Sequence, residues 1–207
     1  MRLKILVICA MFLGMPGLAG ASSPEARIEA FHAKLLNVMK TADSLGVKGR
    51  FDTLQGEVKA LFDLKLMMAL ASGRYWRKAP ESEQRKLVEA FGNFSAANYA
   101  SRFDGFSGQK FTTRSVTEGP RGTRIVNTQI ESPDRDPVAI SYVMRKTGAD
   151  WRIADILLVG GISEIATRRS EYRTILKSGG TGALTAMLEG KTRAMLGPEP
   201  KSALPAP

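Results

Sequence analysis

The sequence predicts an α+β fold, with helices packed on one face of a curved antiparallel four-stranded sheet that encloses an apolar pocket. Three observations carry this expectation. Apolar residues recur at spacings of three and four through the first half of the chain. Four consecutive segments then alternate in polarity and are joined by short turns. Helical spacing returns after Ser163. Helices and strands are therefore segregated along the chain, which separates α+β from α/β architecture.

The elements follow in order. Ser23-Pro24-Glu25 is a helix start, with a Ser N-cap, Pro at the first position and an acid at the positive end of the dipole. Ile28, Phe31, Leu35, Val38, Ala42 and Leu45 form one stripe, ended by Gly46 and Gly49. A second helix is expected over 51–71, with Gly73 as C-cap. Pro80, Glu81 and Glu83 open a third, which reaches Phe103 and carries Leu87, Phe91 and Phe94 on one face. Strands are expected at 111–117, 124–131, 138–145 and 151–158. In the last, Trp151, Ile153, Asp155 and Leu157 share a face. Gly160-Gly161 reads as a tight strand-to-helix turn. Helices are expected at 163–177 and 182–196, joined by the glycine cluster 178–182, which lacks a phosphate-loop pattern.

The first 21 residues read as a leader. Arg2 and Lys4 precede the short apolar run Ile5–Leu13, and Ala19-Gly20-Ala21 supplies an A-x-A site. The expectation is a cleaved signal peptide at 1–21, one domain at 22–196 and a disordered proline-rich tail at 197–207. Cleavage removes Cys9, the only cysteine, so the exported domain depends on its core rather than on disulfides. It also leaves 28 basic against 20 acidic residues, a basic surface suited to anionic headgroups or a charged partner. Export makes nucleic acid a poor partner, and a periplasmic location is expected.

Catalytic chemistry is sparse. One histidine, His32, has no second ligand in view, so neither a metal site nor a cofactor is expected. No G-x-S-x-G elbow supports a serine triad. A carboxylate in an apolar pocket remains an alternative, with Asp155 first and Asp63 second. On that reading the fold would be an enzyme for a small apolar substrate. A purely structural adaptor with a solid core is a third class. Met67, Met68, Met144, Met187 and Met195, together with numerous phenylalanines, suit an adaptable apolar interior.

Several motifs then converge on one resemblance. Trp151-Arg152-Ile153-Ala154-Asp155-Ile156 is followed by Gly161-Ile162-Ser163 and Arg169-Ser170-Glu171-Tyr172. Upstream stand Phe62-Asp63, Met67-Met68 and Gly73 with Tyr75-Trp76, then Glu83-Gln84-Arg85, Phe91 and Tyr99. In this order they resemble the toluene-tolerance, MlaC-like family of periplasmic phospholipid-binding carriers. Arg168 and the segment around it are closer to a hopanoid-associated, HpnM-like branch.

The resemblance implies a non-enzymatic shuttle between an outer-membrane lipid complex and an inner-membrane ABC transporter. It would carry phospholipid or a hopanoid-type lipid in a pocket between helices and sheet. The expected lining is Phe91, Phe94, Phe103, Ile140, Tyr142, Trp151 and Ile153. Arg169 falls on the helical stripe of Ile162, Ile165, Tyr172 and Leu176, where a charge should be paired. Two uses stay open: an ion pair with Asp155, or a hydrogen bond to a lipid phosphate. Arg168 is expected to face solvent.

Overall fold

The computed structural model describes residues 22–197. The expected leader and the tail beyond Gly197 lie outside the described residues. Ser23 caps the first helix, its Oγ accepting from the Ala26 N–H at 3.1 Å. This helix, α1 (Pro24–Lys40), buries Ile28, Phe31, Leu35 and Val38. It is shorter than expected, because the chain restarts at once as α2 (Ala42–Leu61). Gly46 bends α2 without ending it, at φ 58° and ψ 179°, a conformation that glycine tolerates best.

The expected helix over 51–71 is two helices. Phe62 and Asp63 leave helical geometry, and α3 (Leu64–Ser72) begins after them. Asp63 explains the break. Its Oδ1 accepts from the Leu66 N–H at 3.2 Å, which caps α3, and its own N–H donates to the Ile153 carbonyl at 2.8 Å. Phe62 and Ile153 form a parallel bridge there. Arg145 completes the junction with an ion pair to Asp63. After α4 (Arg74–Lys78), α5 (Glu81–Arg102) follows Pro80 as the sequence predicts.

The sheet is an antiparallel meander, β1 (Lys110–Glu118), β2 (Arg124–Ser132), β3 (Arg135–Thr147), β4 (Asp150–Leu158) and β5 (Ile162–Ser163). Five strands replace the expected four. The addition is two residues that pair with Leu157 and Leu158 after the chain reverses. Gly160 and Gly161 make that reversal, both at positive φ (77° and 74°). The final helix, α6 (Glu164–Leu196), is broken at Gly180, within the expected glycine linker.

One irregularity in the sheet decides where the site residues point. Val143 pairs with Asp155, but Met144 pairs with Ile153, so Ala154 is an extra residue in β4. A bulge reverses the alternation beyond it. Ile153 and Ile156 are both buried, and Ile156 pairs with Tyr142. Asp155 therefore leaves the face that Trp151 and Ile153 were expected to share with it.

The core fills the space between the helices and this sheet face. It joins Leu54, Val58, Met68 and Leu87 to Val126, Tyr142, Met144 and Ile153. Arg50 is buried within it. Its Nε donates to the Ala100 carbonyl at 2.8 Å and its Nη1 to the Ala42 carbonyl at 3.0 Å. Its charge thus sits at the negative C-terminal end of α5.

Candidate functional site

Between α5, α6 and the sheet lies a cavity of ≈ 330 Å³. Its inner wall is apolar, with Phe62, Met67, Phe91, Tyr142 and Ile156 all buried. Half-buried Tyr99, Phe103 and Ile140 continue that wall outward. The rim is polar. Arg102, Thr167 and Glu171 are exposed there, beside half-buried Glu164 and Arg168. Leu158 adds an apolar edge.

The rings of the wall pack on one another. Tyr99 meets Phe31 edge-on at 5.3 Å and Phe62 edge-on at 6.0 Å, and stacks on Phe103 at 5.8 Å. Phe103 meets Phe111, which stacks on His32 at 4.1 Å. His32 Nε2 lies 3.0 Å from the Tyr142 hydroxyl. Such ring pairs each contribute ~0.5–1.5 kcal/mol beyond area burial. Burial pushes the Tyr99 and Tyr142 hydroxyls above the ordinary tyrosine range, so both stay protonated. Tyr142 can then donate to a neutral His32.

His32 makes stability depend on pH. Burial lowers its pKa from 6.5 to about 4. The unfolded chain therefore takes up a proton before the folded chain does. The contribution is fully present above pH 6.5 and is lost as pH falls toward 4. Between pH 7.5 and 5 the loss is about 2 kcal/mol. Denaturant titrations should show that extra loss in the wild type and not in His32→Gln. Equal pH slopes for the two proteins would refute this assignment.

The arginines at the start of α6 exchange the expected roles. Arg169 is exposed, and Arg168 takes the half-buried position. Arg168 Nη2 lies 3.1 Å from Glu164 Oε1, and its Nη1 lies 3.0 Å from Glu171 Oε2. Its guanidinium stands 5.2 Å over the Phe94 ring. Both residues fit the helical stripe, but acids at i−4 and i+3 flank Arg168 and hold it inward. Its Nε is buried without a hydrogen-bond partner.

Asp155 does not pair with Arg169. Its carboxylate accepts from Ser163 Oγ at 2.5 Å, from the Ile156 N–H at 2.8 Å and from the Ile165 N–H at 3.1 Å. Ser163 Oγ in turn accepts from the Ala166 N–H. Together the two side chains satisfy two of the orphan donors that open α6. As a base for the enzyme alternative, Asp155 is already committed to structure, and Asp63 is committed in the same way.

Of the seven residues expected as lining, Phe91, Phe103, Ile140 and Tyr142 line the cavity. Phe94 is buried under Arg168 and Lys191. Ile153 is fully buried in the core at the Phe62 bridge, and half-buried Trp151 packs against that core. Sequence reading missed Phe62, Met67, Tyr99 and Ile156 as lining and Arg102 as a rim cation. Among the described residues, no cluster of His, Cys, Asp or Glu could hold a metal ion. No helix there is long and apolar enough to cross a membrane.

A sequence model of the MlaC protein family matches residues 29–190, from within α1 through the sheet to most of α6. The chain belongs to the MlaC family. Its fold is also that of a solved structure, the phospholipid-binding protein from Ralstonia solanacearum in complex with a phospholipid. The two share 19% sequence identity at a TM-score of 0.72. The match covers 84% of this MlaC-family chain and 99% of the Ralstonia chain.

Proposed function

We propose that this MlaC-family chain is a periplasmic lipid carrier rather than an enzyme. It takes up phospholipid in the aromatic cavity and shuttles it between outer and inner membrane, as the soluble component of an ABC transport system. The observation that carries this reading is the cavity itself. Its apolar interior opens at a rim bearing Arg102 and Arg168. Burying an acyl chain yields ~0.8 kcal/mol per CH₂. Glu164 and Glu171 already hold Arg168, but among the described residues no carboxylate lies within 4.0 Å of Arg102, so a phosphodiester would lie at Arg102. A hopanoid-type lipid has apolar bulk but no phosphate for this cation to meet, so phospholipid is the favoured cargo.

At ≈ 330 Å³ the cavity is small for a diacyl lipid. Loading therefore requires helices and sheet to part, and a membrane partner that binds the open form would supply the shift. A vesicle assay tests the carrier role. The protein should accelerate transfer of a labelled diacyl phospholipid from donor to acceptor vesicles in proportion to its concentration. A rate that stays at the spontaneous value with added protein would contradict the proposal.

A further inference from the structure

A second cavity, of ≈ 590 Å³, opens where the ends of α2 and α4 and the starts of α3 and α5 meet β4. Its apolar floor is Phe62, Leu64, Trp76 and Val88, the first three buried. The floor is tightly built. A Cβ at Gly92 of α5 would come within 2.9 Å of Leu64 Cδ1. Phe62 also lines the first cavity, so the two cavities share this residue.

The charges around this floor do not cancel. Lys59, Lys65, Arg85 and Arg152 face Asp63, Glu81 and Glu89. Asp63 is taken by Arg145 and by the start of α3, and Glu81 lies 3.5 Å from Arg85. That leaves Lys59, Lys65 and Arg152 against Glu89. Among the described residues, no carboxylate comes within 4.0 Å of any of these three cations. An apolar floor under uncompensated cations matches an alkyl chain that ends in an acid. We propose that the second cavity binds a single-chain anionic amphiphile, with its alkyl chain on Phe62, Leu64, Trp76 and Val88 and its head among Lys59, Lys65 and Arg152. This site does not rest on the carrier reading of the first cavity.

Trp76 provides the readout, because the chain has only one other tryptophan, Trp151. In a Trp151→Phe protein, Trp76 fluorescence should respond saturably to dodecyl phosphate or dodecanoate below their micelle concentrations. The relative strength of the two distinguishes a phosphate head from a carboxylate head. Dodecyl maltoside, with the same chain and no charge, should need at least about tenfold more. The double variant Lys65→Glu/Arg152→Glu should weaken the anionic probes at least about tenfold while melting normally. Ser95→Phe, which narrows the first cavity, should leave the response intact. If Trp151→Phe does not fold, Trp76→Phe in the otherwise native chain should abolish the response. The proposal is overturned by an absent response, by equal affinity for charged and neutral probes, by indifference to charge reversal, or by loss of the response in Ser95→Phe.

Discussion

Replacing Ser95 by tryptophan should empty the first cavity of lipid while leaving the protein folded. Ser95 lies on α5, half-buried, and its side chain lines the cavity. An indole there fills a large share of ≈ 330 Å³. Displacing only four methylenes of a bound chain costs ~3 kcal/mol at ~0.8 kcal/mol each, more than about a hundredfold in affinity. The substitution carries its own packing penalty of ~1–3 kcal/mol if the ring meets the opposite wall. Circular dichroism and a melting curve should therefore accompany the lipid measurement. Ser95→Ala should keep its lipid. A folded Ser95→Trp protein with wild-type lipid content would mean that lipid is bound somewhere else.

The second large effect is expected at Asp155. Its carboxylate holds the Ser163 hydroxyl and the Ile165 N–H at the start of α6, and the Ile156 N–H beside the bulge. It also places a negative charge at the positive end of the α6 dipole. Asp155→Ala leaves these donors without their charged acceptor, at about 3 kcal/mol. For a domain of this size that is about 6–12 °C in Tm. Asp155→Asn keeps an acceptor oxygen and should lose less, about 1 kcal/mol. Lipid content should survive in the Asn variant, since Asp155 is absent from the cavity lining. If Asp155→Asn melts as wild type but abolishes turnover of a small apolar substrate, the enzyme reading prevails and the structural role assigned here is wrong.

The sequence exposes the fold more fully than the site, for physical reasons. Strand alternation and helical spacing are repeated signals, and they locate the four main strands and α5 closely. Single-residue events have no such redundancy. The bulge at Ala154 cannot be seen in the pattern, because Ile153, Ala154, Ile156 and Leu157 are apolar in both registers. It nevertheless moves Asp155 off the inner face and brings Ile156 onto it. The break at Phe62–Asp63 is hidden in a continuous apolar run. The one readable sign was Asp63 three residues before Leu66, a capping position that the helical stripe overrode.

Charge placement shows the same limit. Arg168 and Arg169 suit the apolar stripe of α6 about equally, so spacing does not choose between them. Glu164 and Glu171 choose, at four residues before and three after Arg168, and that spacing was present in the sequence. Arg50 gave no sign. It is buried by carbonyls of Ala42 and Ala100, which no local pattern brings together.

The most direct test of the carrier account is to purify the protein from bacteria, extract it with organic solvent and quantify lipid by mass spectrometry. The account predicts near-stoichiometric phospholipid, sharply reduced in Ser95→Trp. A protein that comes out free of lipid and also takes none up from vesicles would contradict it.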